Sequence, residues 1–194
     1  MVLGESGVVN VVWTRNGAKR TTTIPKAVTK AASYGIKDGA LIFRFDNYAP
    51  NWLRDAIKDK TAVTLDLRNN VEGDIEAMRK ILAVLAPNGT YGSLASYRKE
   101  PAEPLTVTDG NPRPPKITIR VDRTTRGPAA ILARALASHR HANVVGGPTS
   151  DDLAVKDVVS LPDGTGYTLV TSEYRMDGAA TKVALAESNT EGQP

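Results

Sequence analysis

Apolar and polar residues alternate from Val8 to Ile24 on either side of Arg15-Asn16-Gly17. Alternation sends successive side chains to opposite faces of an extended chain, and Asn-Gly accepts the positive φ of a two-residue turn. Val8–Thr14 and Lys19–Ile24 are therefore expected to form a β-hairpin that Pro25 ends. Ala27–Ser33 has the composition of a short helical turn, after which Gly35 and Asp38-Gly39 break the chain. Ala40–Phe45 and Ala62–Leu67 read as buried strands, and Trp52–Lys58 as a short helix following Pro50. Ile75, Met78, Ile81, Leu82 and Leu85 recur at helical spacing, which predicts an amphipathic helix stopped by Pro87-Asn88-Gly89.

Tyr91–Arg98 reads as a strand. Glu100–Pro115 contains five prolines, which cannot donate to a strand ladder, so a long connecting loop is expected there. Ile117–Val121 is a further strand, Ala129–Ser138 an alanine-rich helix and Asn143–Val145 another buried strand. Val155–Leu161 and Tyr167–Tyr174 flank Pro162-Asp163-Gly164 and predict an antiparallel hairpin; the tail from Glu187 is polar. Strand–helix alternation closed by a hairpin implies an α/β core with crossover helices.

Composition narrows the partners. The 194 residues suffice for one core with a small appendage. Trp13 and Trp52 are the only indoles, so the core must rest on Val, Ile, Leu and Ala. The net charge of +4 is spread along the chain, without the basic clusters and stacking aromatics that nucleic acid requires. No nucleic-acid partner is expected. With no cysteine, disulfides, thiolate metal sites and cysteine catalysis are excluded. No apolar run approaches the roughly 20 residues of a membrane span. Met1-Val2-Leu3-Gly4-Glu5 lacks a basic then apolar pattern and is not a signal peptide. His139 and His141 flank Arg140 at the end of the alanine-rich helix, where cations suit the helix dipole. No acidic residue lies nearby to complete a metal site, so neither metal nor other cofactor is expected.

Three segments resemble the tail-specific (C-terminal processing) serine protease family. Asp66-Leu67-Arg68-Asn69-Asn70-Val71-Glu72-Gly73 is similar to the family's DLRGNPGG motif, matching at Asp66, Leu67, Arg68, Asn70 and Gly73. Val121-Asp122-Arg123-Thr124-Thr125-Arg126-Gly127-Pro128-Ala129-Ala130-Ile131 resembles NxGSASASEI, the segment that carries the nucleophilic serine at the start of a helix. Val144-Val145-Gly146-Gly147-Pro148-Thr149, then Leu161-Pro162-Asp163-Gly164, resembles VVGEKTFGKGSVQ…LxDG. The resemblance implies a crotonase- or Clp-like layered sheet with crossover helices over residues 28–186. It also implies a remnant of a closing PDZ hairpin over residues 1–27 and a periplasmic or secreted location; the polar composition of 187–194 is what predicts a flexible tail there.

The same resemblance places the family's serine at Gly127, its lysine base at Asp152 (with Asp151 beside it) and its third polar partner at Lys156. A glycine has no hydroxyl to attack a carbonyl, and Asp152 has no nucleophile to serve. Glu72 replaces a glycine of the oxyanion turn, where a carboxylate opposes developing negative charge. Thr125 is the fallback nucleophile, weighed against both Thr124 and Thr125 capping the following helix. Ser96-Tyr97-Arg98-Lys99 matches S-x-x-K, but on an expected strand and not on a helix. Asp66 and Arg68 are expected to fix the turn.

Three functions follow. The first is a non-catalytic module holding a peptide or protein tail, with Glu72, Gly73, Arg126 and Gly127 as groove candidates. The second is a serine- or threonine-type endopeptidase with rearranged residues. The third is a structural domain of a homo-oligomer.

Overall fold

The computed structural model describes residues 8–25, 34–98, 100–139, 141–150, 152–162 and 166–176. The expected helical turn at 27–33, the turn residues 163 and 164, Asp151 and the tail lie outside them. The chain divides into two compact units, Met1–Ala31 and Ala32–Pro194.

The first unit is the hairpin that Asn16-Gly17 predicts. Strands β1 (Val8–Arg15) and β2 (Ala18–Pro25) pair antiparallel, with positive φ at Asn16 (52°) and Gly17 (77°). Two positive values in succession match the right-handed twist of the flanking strands. Trp13 donates from Nε1 to Thr22 Oγ1 at 2.8 Å, and the Arg20 guanidinium lies over the indole.

The second unit contains two sheets. In chain order its elements are β3 (Gly35–Lys37), β4 (Ala40–Ile42), α1 (Ala49–Ile57), β5 (Ala62–Asp66), α2 (Ile75–Leu85) and β6 (Gly89–Ser96). Then follow β7 (Glu103–Val107), β8 (Lys116–Val121), α3 (Pro128–Ser138), β9 (Ala142–Gly146), β10 (Ala154–Ser160) and β11 (Gly166–Arg175). One sheet has the order β3-β4-β5-β8-β9, with β4, β5, β8 and β9 parallel. The other is antiparallel in the order β10-β11-β6-β7. Helix α3 packs against β9 of the first sheet and β6 of the second, while α2 touches α1, α3 and β7.

Each helix starts where its sequence supplies donors with partners. The Asp46 carboxylate accepts the N–H groups of Tyr48 and Ala49 at the start of α1, whose first turn holds Pro50. Asp74 caps α2 by accepting from Glu76 N–H at 2.9 Å. Helix α3 opens on Pro128, whose missing N–H would have had no intrahelical partner. Half of its buried residues are alanine, whose small side chain permits close approach of the backbone. The core joins Leu65 and Leu67, Ile117, Ile119 and Val121, the α2 stripe, Ile131 and Leu136 of α3, and Tyr91 and Tyr174 of the second sheet.

Three expectations are corrected. Glu100–Pro115 contains strand β7, which includes Pro104 opposite Ser93. β7 is an edge strand, so a residue without an N–H can sit there at little loss to the ladder. Asp38-Gly39, expected as a simple break, is the two-residue turn of a short β3–β4 hairpin, with φ of 49° and 72°. The strand beginning at Ala40 ends at Ile42; Phe43 and Phe45 are buried beyond it by packing on each other and on Gly73.

Leu65 sits fully buried in β5, the middle strand of the five-stranded sheet. Leu65→Ala removes buried methyl groups where neighbours on both faces limit collapse. Urea unfolding should show a loss of about 2–5 kcal/mol.

Candidate functional site

Strands β5 and β8 run parallel in the register Ala62↔Lys116 to Asp66↔Arg120, so their carboxyl ends finish side by side. Ligand crevices of open α/β sheets form outside such strand ends. The turn after β5 is held by its own last residue. Asp66 accepts from Arg68 Nε at 2.8 Å, Arg68 Nη2 at 2.5 Å and the Arg68 backbone N–H at 3.1 Å. Burial opposes ionisation of Asp66. The Arg68 hydrogen bonds, with the charges of Arg68 and Arg120, outweigh it and hold the carboxyl below its usual range. The Asp66 bond in turn raises the Arg68 guanidinium. Asn69 takes a positive φ of 63°, a conformation that asparagine tolerates.

Gly73 is required by close approach. A Cβ there would lie 2.4 Å from Phe45 Cβ, and the next N–H, of Asp74, donates to Phe45 O. Glu72 is exposed beside it. The hydrogen bonds that join this turn to the segment after β8 run instead through its neighbours. Asn69 N–H donates to Thr124 Oγ1 at 2.9 Å, and Arg126 N–H to Asn70 O at 3.1 Å.

Thr124 and Thr125 do not cap α3, contrary to one sequence expectation: the N-cap is Gly127, with no side-chain cap bond. The hydroxyls work backwards. Thr124 Oγ1 donates to Asp122 Oδ1 at 2.6 Å, and Thr125 Oγ1 donates to Leu67 O at 3.1 Å while accepting from Asp122 N–H. Thr125 is 0% exposed, so its hydroxyl faces packed protein. The physical reason is competition: Leu67 O is a buried acceptor, and Thr125 reaches it before it could reach an α3 amide.

Gly127 stands at φ 55° and ψ −133° between β8 and α3. This strand-to-helix elbow is the kind of turn that lifts a nucleophile out of a sheet. The nearest atom to a Cβ built there is Ala154 O at 3.9 Å, so space is present and only the backbone conformation resists a side chain. Gly127 N–H donates to Asp152 O at 2.8 Å, and Ser150 N–H to Thr125 O at 3.2 Å. The loop before β10 is thus laced to the elbow. Three of these bonds bring Asn69, Asn70, Thr124, Arg126, Gly127 and Asp152 into one place, and the fourth adds Thr125 and Ser150.

Asp152 is not free there. Its Oδ2 lies 2.5 Å from Lys156 Nζ, four residues on and just past a bulge between Val155 and Lys156. Ser96 closes an extended strand, so S-x-x-K has no helix to align it; Lys99 lies outside the described residues. His139 and His141 lie against the Tyr91 ring, and burial lowers the His141 imidazole.

Two participants went unnoticed as site residues in the sequence. Asp122 organises both threonines, a role its position two before Thr124 signals as an Asx-type turn. Asn70 entered only as a motif match, yet it is 3% exposed and its Nδ2 has no hydrogen-bond partner among the described residues.

Residues 44–183 match the model of peptidase family S41. Among solved structures, the photosystem II D1 C-terminal processing protease is 19% identical with a TM-score of 0.60, over 88% of this chain and 51% of that one. A Bacteroides fragilis structure assigned to S41 proteases is 17% identical, TM-score 0.61, covering 85% of this chain and 53% of its own. A lipoprotein from Streptococcus agalactiae is 17% identical, TM-score 0.60, over 77% and 60%. The chain thus spans about half the length of the structures it resembles. No curated protein sequence matches it.

Asp66 gives the site a pH signature. A carboxyl depressed in the folded state adds stability above its unfolded value, near about 4, and loses that contribution as pH falls through the folded value. Asp66→Asn should cost about 1–3 kcal/mol at neutral pH. In denaturant melts across an acid series, the gap to the unmodified chain should close as pH drops.

Proposed function

The chain belongs to peptidase family S41, and from that premise we propose that it is a non-catalytic member that binds an extended peptide or protein tail. The observation that carries this reading is the elbow at Gly127, which keeps the geometry for displaying a nucleophile and has no side chain to display. Hydroxyl attack on a carbonyl needs both the hydroxyl and a base with a free lone pair. The resemblance puts the base at Asp152, which is occupied by Lys156; Lys156 in turn donates to that carboxylate. Glu72, exposed on the neighbouring turn, adds negative charge where an acyl transfer would develop more.

Binding does not need that machinery. β10 is an edge strand of the four-stranded sheet and begins two residues after Asp152. Among the described residues no strand pairs with its outer edge, and sheet edges take up extended peptides by adding them as a strand. A peptide paired there would run toward Asp152, Gly127 and Arg126.

The Thr125-based peptidase is disfavoured by the same geometry. Its hydroxyl is buried and already engaged with Leu67 O and Asp122 N–H, so reaching a carbonyl would require breaking both bonds.

The test incubates the purified chain with a pool of unstructured peptides bearing apolar C-termini, with mass-spectrometric readout. A Gly127→Ser, Asp152→Lys double variant runs beside it. Uncut peptides retained on the chain are the expected outcome. Specific cleavage by the unmodified chain overturns the reading, and its loss in Thr125→Ala would identify threonine as the nucleophile.

A further inference from the structure

Two hydrogen-bond donors next to the elbow have no acceptor among the described residues. Asn70 Nδ2 is buried without a partner, on a residue 3% exposed. Arg126 Nε is also buried without a partner among the described residues, although the side chain as a whole is half-buried. The two residues are joined directly, Arg126 N–H donating to Asn70 O at 3.1 Å. Arg126 is the residue before Gly127 and so stands just ahead of α3, where the helix contributes positive potential, and Asn70 is tied to it from the turn after β5. Leaving such donors unmet costs free energy that an arriving acceptor recovers.

Three of the described acids close by are already engaged, while Glu72 is exposed on the neighbouring turn. Asp66 is held by Arg68, Asp122 by Thr124 and Asp152 by Lys156. What the place lacks is a negatively charged acceptor from outside. Two unmet N–H donors on residues joined by a backbone bond, one of them on a guanidinium, suit the oxygens of a carboxylate, to which a charged donor bonds more strongly than a neutral one.

We infer that Arg126 and Asn70 form a carboxylate-recognition site at the Gly127 elbow, which gives the bound peptide its anchor. The inference rests on the peptide-binding reading above and specifies its ligand chemistry. The carboxylate can come from a peptide's C-terminus or from an aspartate or glutamate side chain, and the elbow glycine leaves open space beside either.

Fluorescence anisotropy with N-terminally labelled peptides separates these cases. One sequence is used with a free C-terminus, with a C-terminal amide, and as an amide with one internal glutamate. The free acid should bind about 10-fold or more tightly than the neutral amide. Arg126→Gln should erase that difference, and Arg126→Lys, which keeps the charge without the fork, should retain part of it. A common melting temperature among the variants keeps folding out of the comparison. Tight binding by the glutamate-bearing amide assigns the site to side-chain carboxylates, and weak binding assigns it to chain ends; both support the site. Equal binding of acid and amide, unchanged in Arg126→Gln, overturns the carboxylate site and leaves peptide binding standing. No binding by any of the three overturns both.

Discussion

Everything that positions the candidate site depends on the parallel pairing of β5 with β8 and the polar clamp at their carboxyl ends. Leu67 N–H continues the ladder by donating to Arg120 O, and Thr125 Oγ1 returns a bond to Leu67 O from the other strand's loop. Two loops that follow neighbouring strands would otherwise be free to drift. Here Asp66–Arg68 fixes one, Asp122 with its threonines fixes the other, and Asn69 and Asn70 bridge them. The elbow at Gly127 is held in its positive-φ conformation, which glycine adopts freely, by that bracing and by α3 behind it, anchored by buried Ile131, Leu132 and Leu136. Such a clamp serves geometry first. Asp66, Leu67, Arg68, Asn70 and Gly73, the positions that match the family's turn motif, all lie in or beside that clamp.

Local rules made much of the fold legible. Asn16-Gly17 allows a turn that few other pairs allow, and the Ile75–Leu85 stripe repeats at a helical period no strand could bury on one face. The strand–helix order foretold parallel pairing with crossovers. What the sequence hid was choice of distant partners. Nothing local says that β6 and β7 leave the first sheet to join β11 in a second, or that Pro104 can lie in a strand because that strand is at an edge. Phe43 and Phe45 looked like strand because burial in an irregular segment has the same composition as burial in a sheet.

The site was half legible for a related reason. Motif resemblance located Gly127, Asp152 and Lys156, and the structure links Gly127 to Asp152 and Asp152 to Lys156. It did not reveal what the hydroxyls of Thr124 and Thr125 do, because a threonine before a helix has two outlets: the helix amides ahead or a carbonyl behind. The buried Leu67 carbonyl decides between them, and it lies 58 residues away. Nor could it show that Asn70 is left with an unmet amide, a property of packing that no residue carries by itself.

The central claim is that the elbow survives without a nucleophile. Intact-protein mass spectrometry after treatment with a fluorophosphonate, which is attacked by activated hydroxyls, tests it directly. The account predicts an unchanged mass for the native chain. A stoichiometric adduct would contradict it, and peptide mapping would name the hydroxyl that had been activated.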